Sequence, residues 1–349
     1  MTPSSRSAEP GFLVLRDGDP VPARLGGAVL ALGNFDGVHL GHQRLVATAR
    51  ALAAERRAPS AVLTFDPHPR AFFAPDTPRF CLTPEPIKLR LFASLGLDAA
   101  FIRRFDAALA GTSAADFVSR VIARELGASG LVVGPNFMFG RGREGTPALL
   151  RELARHNGLA CRVADAVEVD GETVSSSRVR ASLAHGAIET ANRLLGYRWL
   201  VEGEVEHGRK VGRTLGYPTA NLALGIGCGL KHGIYAVRVA LPRGGIHDAV
   251  ASFGRRPTFD NGADLLEVHL LDFSGDLYGR RIACEFVARI RGEERFDSAE
   301  ALIQRMHLDA AEARRRLELA ARDALRSLLK ADQPSDGFIR AIDAGTNGT

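Results

Sequence analysis

No apolar run in this 349-residue chain approaches the roughly 18 residues that a membrane-spanning helix requires. Residues Met1 to Pro10 are polar and lack a hydrophobic core segment, so no secretory signal is expected. Cysteine is scarce: Cys81, Cys161, Cys228 and Cys284 are widely scattered, without zinc-ligand spacing. They read as reduced, small core residues of a cytoplasmic protein. The chain has no Walker A sequence, and nothing like the catalytic and metal-binding loops of protein kinases. It also lacks internal repeats and low-complexity segments. A basic block interleaved with aromatics is missing too, although the net charge is +5. The excess is arginine spread along the chain, which small phosphorylated ligands explain as well as nucleic acid does, so no nucleic-acid partner is expected.

What remains is the composition of an ordinary soluble protein, 46% hydrophobic and 24% charged. The length suggests two domains. The first half alternates strand-like runs with helical patterns. Strands are expected at Val29–Gly33, Ser60–Phe65, Ala99–Arg103, Gly130–Gly134 and Cys161–Ala164. Helices are expected near Gln43–Glu55, Pro86–Leu95, Ala114–Glu125 and Pro147–Asn157. This order argues for βαβ units and an α/β domain with a Rossmann-like parallel sheet, whose ligand site lies beyond the carboxyl ends of the strands. After about Leu183 a helix near Ile188–Leu195 gives way to short alternating runs: Trp199–Glu206, Gly233–Ala240, Asp248–Phe253, Leu265–Asp272 and Arg281–Ile290. They read as a small antiparallel barrel or sandwich. A last helical stretch, Ala299–Lys330, is expected to pack on it, using Leu317, Ala320, Leu325 and Leu328.

The first strand runs into Gly33-Asn34-Phe35-Asp36-Gly37-Val38-His39-Leu40-Gly41-His42-Gln43. Glycines there let the backbone approach a ligand, and a helix N-terminus presents unpaired N–H groups to an anion. His39 and His42, three apart, lie on one face of the first turn, where both can reach a phosphate. A turn carrying two solvated histidines is the plainer alternative.

Three further segments suit a nucleotide. Phe65-Asp66-Pro67-His68-Pro69-Arg70 forms a rigid turn at a strand end. Pro135 to Gly145 combines Asn136 with glycines, arginines and aromatics. Ser175-Ser176-Ser177-Arg178-Val179-Arg180 opens a helix. Serines there serve as N-caps, but two arginines oppose the helix dipole, and an anion held between them removes that penalty.

In the second half, Gly208, Gly212 and Gly216 punctuate a basic loop that leads to Tyr217-Pro218-Thr219-Ala220-Asn221. A threonine hydroxyl and an amide oxygen are hard ligands suited to Mg²⁺, although a turn entering a strand accounts for the same residues. In Leu265 to Asp272, alternation sets Glu267 and His269 on one face and Leu266, Val268 and Leu270 on the other. A carboxylate on such a strand needs a partner or a task, such as taking a proton from an alcohol; a solvated edge strand is the rival reading.

Gly33–His42 fits the GxFDxxHxGH pattern of nucleotidyltransferases of the class I aminoacyl-tRNA synthetase-like superfamily. With Thr-Phe-Asp-Pro-His-Pro, Val-Gly-Pro-Asn-Phe-Met-Phe-Gly and Ser-Ser-Ser-Arg-Val-Arg, the first half resembles the adenylyltransferase half of the prokaryotic riboflavin kinase/FMN adenylyltransferase family. The second half resembles its riboflavin kinase half through Gly-Arg-Thr-Leu-Gly-Tyr-Pro-Thr-Ala-Asn-Leu, Leu-Glu-Val-His-Leu-Leu-Asp-Phe, Leu-Tyr-Gly and Arg-Gly-Glu-Glu-Arg-Phe. The resemblance spans roughly residues 12 to 330. Ser252 and Ser177 depart from it locally, standing where Asn and Thr are common.

The resemblance implies a domain at 12–185 for FMN adenylyl transfer, a six-stranded barrel at 186–330 for riboflavin phosphorylation, and flexible tails at 1–11 and 331–349. It implies that His39 and His42 stabilise charge on the α-phosphate of ATP, while Gly33, Phe35, Asp36, Asn136, Ser175, Ser176, Ser177, Arg178 and Arg180 hold or shape the nucleotide site. Gly212 and Gly216 are expected at the phosphates of the kinase half. Phe65, Pro67, His68, Pro69 and Arg291 are expected to touch flavin, Thr219 and Asn221 to bind Mg²⁺, and Glu267 to act as base. The implied ligands are riboflavin, FMN, FAD and ATP, with association of chains left open. Two rivals remain: a nucleotidyltransferase with another phosphorylated acceptor, and a non-catalytic flavin-binding protein.

Overall fold

The computed structural model describes residues 11–77, 80–207, 217–224, 228–242, 245–255, 264–320, 325 and 327–329. The chain divides into two compact units, one of residues 1–77 and 83–174 and the other of residues 78–82 and 175–349.

The first unit runs β1 (Leu13–Arg16), β2 (Val29–Leu32), α1 (Leu40–Arg56), β3 (Ser60–Asp66), α2 (Pro69–Phe73), α3 (Glu85–Ser94) and β4 (Ala99–Arg104). Then come α4 (Ala107–Ala110), α5 (Ala114–Asp116) continuing as a π-helix over Phe117–Glu125, β5 (Gly130–Val133), α6 (Pro147–His156) and β6 (Ala160–Val163). A two-residue Asp170-Gly171 turn, both at positive φ, closes the small hairpin of β7 (Glu168–Val169) and β8 (Glu172–Thr173). The six long strands form one parallel sheet in the order β1-β4-β3-β2-β5-β6. β2 and β5 are buried at every residue, as central strands covered on both faces must be. Leu30, Leu32, Leu63, Leu131 and Val133 are essentially inaccessible, and each such side chain contributes roughly 1.5–3 kcal/mol.

All five strands expected from the sequence are present. β1 is an additional edge strand, a run of only four residues whose partner β4 is distant in sequence. The strand order reverses at β2: β3 and β4 lie to one side, β5 and β6 to the other. The crevice at such a switch point, beyond the carboxyl ends of β2 and β5, is where ligands of this architecture bind. The loops after these two strands carry the His39/His42 and Asn136 segments.

The second unit contains α7 (Ser176–Ala184), α8 (Ile188–Leu195), β9 (Leu200–Glu206), β10 (Ala220–Ala223), β11 (Gly233–Leu241), β12 (Gly245–Arg255), β13 (Asp264–Leu270), β14 (Arg281–Arg291) and α9 (Ala299–Ala320). Its strands close into an antiparallel barrel, β10-β13-β12-β11-β14-β9, with β9 pairing back onto β10. Closure removes the sheet edges that a sandwich would leave open. Tyr235, Phe253, Phe286 and Trp199 are fully buried, and the Trp199 and Phe286 rings lie 4.9 Å apart.

Ala313 and Leu317 of α9 pack on Ala236, Val287 and Ala288 of the barrel. The expected helix to Lys330 is corrected in its last part: α9 ends at Ala320, and Leu325 and Leu328 are not helical. Barrel side chains take over the terminal hydrogen bonds. Arg238 donates to the Leu317 carbonyl at 2.8 Å and Arg198 to the Ala320 carbonyl. Glu285 accepts from the Ser327 hydroxyl and the Leu328 N–H, both at 3.0 Å. Burial pushes the Glu285 carboxyl up despite Arg198 and Arg238 beside it.

Candidate active sites

In the first unit, His39 is the N-cap of α1, with extended backbone and its ring folded over the helix start. Its Nδ1 accepts from the His42 N–H at 3.4 Å, so the neutral ring carries its proton on Nε2. The His39 and His42 rings stack with centroids 3.7 Å apart, and Phe35 lies 5.2 Å from His42. His39 is buried, and burial lowers its pKa from 6.5 to about 4, with Asp36 acting the other way. His42 falls well below the ordinary range through burial, then through His39 and Lys88. Its Nδ1 is buried without a hydrogen-bond partner among the described residues. A buried acceptor in that state is costly unless a ligand or proton satisfies it. The pair is therefore neutral at pH 7 and poised to meet a negative group.

Two glycines of the motif have a local reason. A Cβ at Gly33 would lie 3.3 Å from the Phe35 ring, and one at Gly41 would lie 3.2 Å from the His39 ring. The small residues let those rings fold back onto their own loop. Phe35 and Val38 sit at positive φ, at 50° and 37°, which needs outside support. Part of it comes from Thr83, which the sequence reading did not single out. Its hydroxyl accepts from the Gly37 N–H, and its own N–H donates to the Asp36 carboxylate at 3.3 Å. Both Asp36 and Thr83 are buried. Lys88 donates to the Asn34 carbonyl at 3.3 Å. The signal for these anchors was slight: one threonine and one lysine after a loop, with no spacing rule tying them to the motif.

Asn136 is exposed on the loop after β5. Phe139 closes that loop with reciprocal backbone hydrogen bonds to Gly145, and a Cβ at Gly145 would come within 2.5 Å of the Phe139 ring. Phe137 stacks on Phe139 at 5.7 Å. Phe65, at the end of β3, meets Phe105 edge-on at 6.0 Å. The Asp66–Pro67 bond is cis, and His68 caps α2 by accepting from the Arg70 N–H at 3.1 Å; Pro69 opens that helix.

Ser175 to Arg180 begin the second unit. Ser175 caps α7 by accepting from the Arg178 N–H at 3.3 Å, followed by Ser176 and Ser177, and Arg180 donates to the Phe80 carbonyl at 2.9 Å. Capping is thus present, as the sequence allowed.

In the barrel, Asn221 of β10 stands directly opposite Glu267 of β13, and Glu267 in turn stands opposite Ser252 of β12. Directly paired residues share a face with their Cβ atoms about 5 Å apart. Leu266, Val268 and Leu270 turn into the core, while Glu267 and His269 are half-buried on the other face. Asn221 is buried and Thr219 half-buried. These hard oxygen donors fit a divalent cation that completes its shell from substrate phosphates and water. Among the described residues there is no cluster of three or more His, Cys, Asp or Glu to hold a metal by protein alone. Gly212 and Gly216 lie outside the described residues.

Arg291 of β14 lies in the same cross-strand row, paired with Ile234, which pairs with Ser252. Its guanidinium grips Asp309 of α9, with Nη2 at 2.6 Å and Nε at 2.9 Å, and stands 5.9 Å from the Phe296 ring centre. This bidentate pair ties the helix to β14.

The FAD synthetase family profile matches residues 21–178 and the riboflavin kinase profile residues 195–317. A bifunctional riboflavin kinase/FMN adenylyltransferase of Pseudomonas fluorescens is 41% identical over 82% of this chain and 92% of its own. Proteins of the same name are 36% identical in Haemophilus influenzae, over 83% and 94%, and 38% identical in Escherichia coli, over 82% and 92%. A crystal structure of a macrolide-efflux protein from Streptococcus pneumoniae superposes with a TM-score of 0.77 at 28% identity, covering 86% of this chain and 98% of that one. Among the described residues no helix is long and apolar enough to cross a membrane. With both profiles matched in order and relatives of this identity aligned over most of their length, the chain belongs to the bifunctional riboflavin kinase/FMN adenylyltransferase family.

Proposed function

We propose that this chain makes FAD in two ATP-dependent steps, riboflavin to FMN and then FMN to FAD, with adenylyl transfer assigned to residues 12–185 and phosphorylation to residues 186–330. The observation that carries this reading is the presence, on one chain, of a stacked neutral histidine pair at a Rossmann switch point and an Asn–Glu pair on a barrel wall.

In the phosphorylation step, the ribityl 5′-oxygen attacks the γ-phosphorus of ATP and ADP leaves. Glu267 takes the hydroxyl proton, a role suited to a half-buried carboxylate beside an amide. Thr219 and Asn221 hold Mg²⁺, which when bound offsets charge on the phosphates. In the adenylyl step, an FMN phosphate oxygen attacks the α-phosphorus of ATP and pyrophosphate leaves. No covalent enzyme intermediate is needed, so catalysis is positioning plus stabilisation of charge. His39 donates from Nε2, and His42 supplies a second imidazole directly beside it.

Gly33, Phe35 and Asp36 shape that loop, and Asn136 contributes from the neighbouring one. Phe65, Pro67, His68 and Pro69 form the flavin side. The capped start of α7, with Ser175, Ser176, Ser177, Arg178 and Arg180, has the chemistry to hold ATP phosphates. Arg291 contributes to the flavin side of the barrel. The four cysteines are free thiols, which suits the reducing cytoplasm.

Incubation of the protein with riboflavin, ATP and Mg²⁺, followed by chromatography of the flavins, tests the reading. FMN appearing first and FAD after it is the expected course. Absence of phosphorylated flavin, or FMN that never becomes FAD, overturns it.

A further inference from the structure

Among the described residues, the segment that carries Thr219 and Asn221 enters the barrel with little backbone support. Register pairing of β10 begins only at Ala220 with β13 and at Asn221 with β9, and Pro218 has no N–H to give. Tyr217 and Pro218 are instead gripped by side chains. The Tyr217 phenol lies 2.6 Å from Nδ1 of His307 on α9, and its ring lies 4.8 Å from the His269 imidazole. His269, two residues along β13 from Glu267, donates from Nδ1 to the Pro218 carbonyl at 2.9 Å. One imidazole comes from the strand that carries Glu267 and the other from the C-terminal helix. Both close on the same dipeptide.

We propose that His307 is a positioning residue for phosphoryl transfer: through its hydrogen bond with Tyr217 it sets the placement of Thr219 and Asn221 against Glu267. The proposal rests on the assignment of the kinase site to those three residues. Tyr217 is buried, and its O–H and the His307 Nδ1 pair at hydrogen-bond distance. The helix offering His307 is itself pinned. Asp309, two residues further on, is held by Arg291, and Arg314 pairs with Asp272 just beyond the end of β13. A rigid helix, a single hydrogen bond and a phenol thus run in series to the metal-binding segment. Arg291 gains a function in this chain of contacts, as the anchor of the helix that presents His307.

A hydrogen bond of this kind adds little to folding, but a small displacement of phosphate ligands is felt strongly in the transition state. His307→Ala is expected to lower kcat for riboflavin phosphorylation about five- to tenfold, with KM for riboflavin little changed. His307→Gln, which restores an acceptor oxygen, recovers most of the rate. Tyr217→Phe matches His307→Ala, and the double variant is no worse than either single one. Conversion of supplied FMN to FAD by the same preparations stays at the wild-type rate and certifies a folded chain. Wild-type kcat in His307→Ala, or losses that multiply in the double variant, overturns the proposal. Glu267→Ala measured alongside separates the two layers. If it still phosphorylates riboflavin, the site assignment fails; if it is inactive while His307→Ala is unimpaired, only the positioning role fails.

Discussion

Asn221 and Glu267 occupy directly opposed positions of an antiparallel pair, so an amide and a carboxylate share one face of the barrel wall. Cross-strand register sets their Cβ atoms about 5 Å apart. If Glu267 removes the ribityl proton, its loss removes general-base catalysis, a factor of about 100 to 10,000. Glu267→Gln is expected to abolish FMN formation to that extent while FMN supplied from outside is still converted to FAD. Product analysis with riboflavin and with FMN as separate substrates reads both arms. A riboflavin phosphorylation rate within a few-fold of wild type rules out the base.

The complementary substitution acts on the other unit. His39 and His42 stack at the switch point of the parallel sheet, apart from the barrel in sequence and in unit. His39→Ala combined with His42→Ala removes the two imidazoles proposed to meet developing charge, and a donor in that role contributes on the order of 100-fold. FMN is then expected to accumulate from riboflavin with little FAD following. Equal loss of both products would sink the division of labour.

The same histidines tie stability to pH. Burial holds the His39 pKa at about 4, below the ordinary 6.5, so the unfolded chain binds more protons between those values. A depressed folded-state value gives stability that is present above pH 6.5 and is lost as pH falls through 4. His42 shifts in the same direction. Asp36 and Lys88 are the charged groups facing the pair, and they act in opposite senses. Between pH 7 and pH 4 the first unit is expected to lose up to about 3 kcal/mol through His39 alone. His39→Asn, which cannot titrate, flattens the dependence of the denaturation midpoint on pH. Parallel slopes for variant and wild type count against this account.

Much of this was legible because it is local. The run from Ala28 to Leu32 reads as a buried strand, and the Gly33–Gln43 segment as its turn into a helix, as observed. Alternation along Leu265 to Asp272 put Glu267 and His269 on one face correctly. What escaped was held by long-range contact. Thr83 reaches the loop from 46 residues beyond Gly37, and nothing in a Leu-Thr-Pro run announces that. Tyr217 and His307 meet across 90 residues of chain. The end of α9 was misread for a related reason. Leu325 and Leu328 continue a helical spacing, but Arg198 just before β9 and Arg238 and Glu285 on distant strands capture the backbone instead. Barrel closure, likewise, depends on β9 meeting β10, and periodicity carries no information about that pairing.

Gly41 offers a test of how far the histidine geometry is constrained. It lies in the first turn of α1, and its backbone there is compatible with any residue, so alanine brings a helix propensity gain of up to about 1 kcal/mol. The added Cβ, however, would stand 3.2 Å from Cε1 and Nδ1 of the His39 ring. The ring must give by a few tenths of an ångström, and with it the Nε2–H to which the proposed mechanism gives the reacting phosphate. Stability and activity are therefore expected to part company. Gly41→Ala should leave the unfolding midpoint unchanged or raised, and should slow FMN adenylylation about tenfold or more while riboflavin phosphorylation proceeds normally. Denaturant unfolding paired with the two activity assays decides the point. Wild-type FAD formation in this variant would mean that the His39 ring tolerates the shift, and that its close packing against Gly41 serves only the fold.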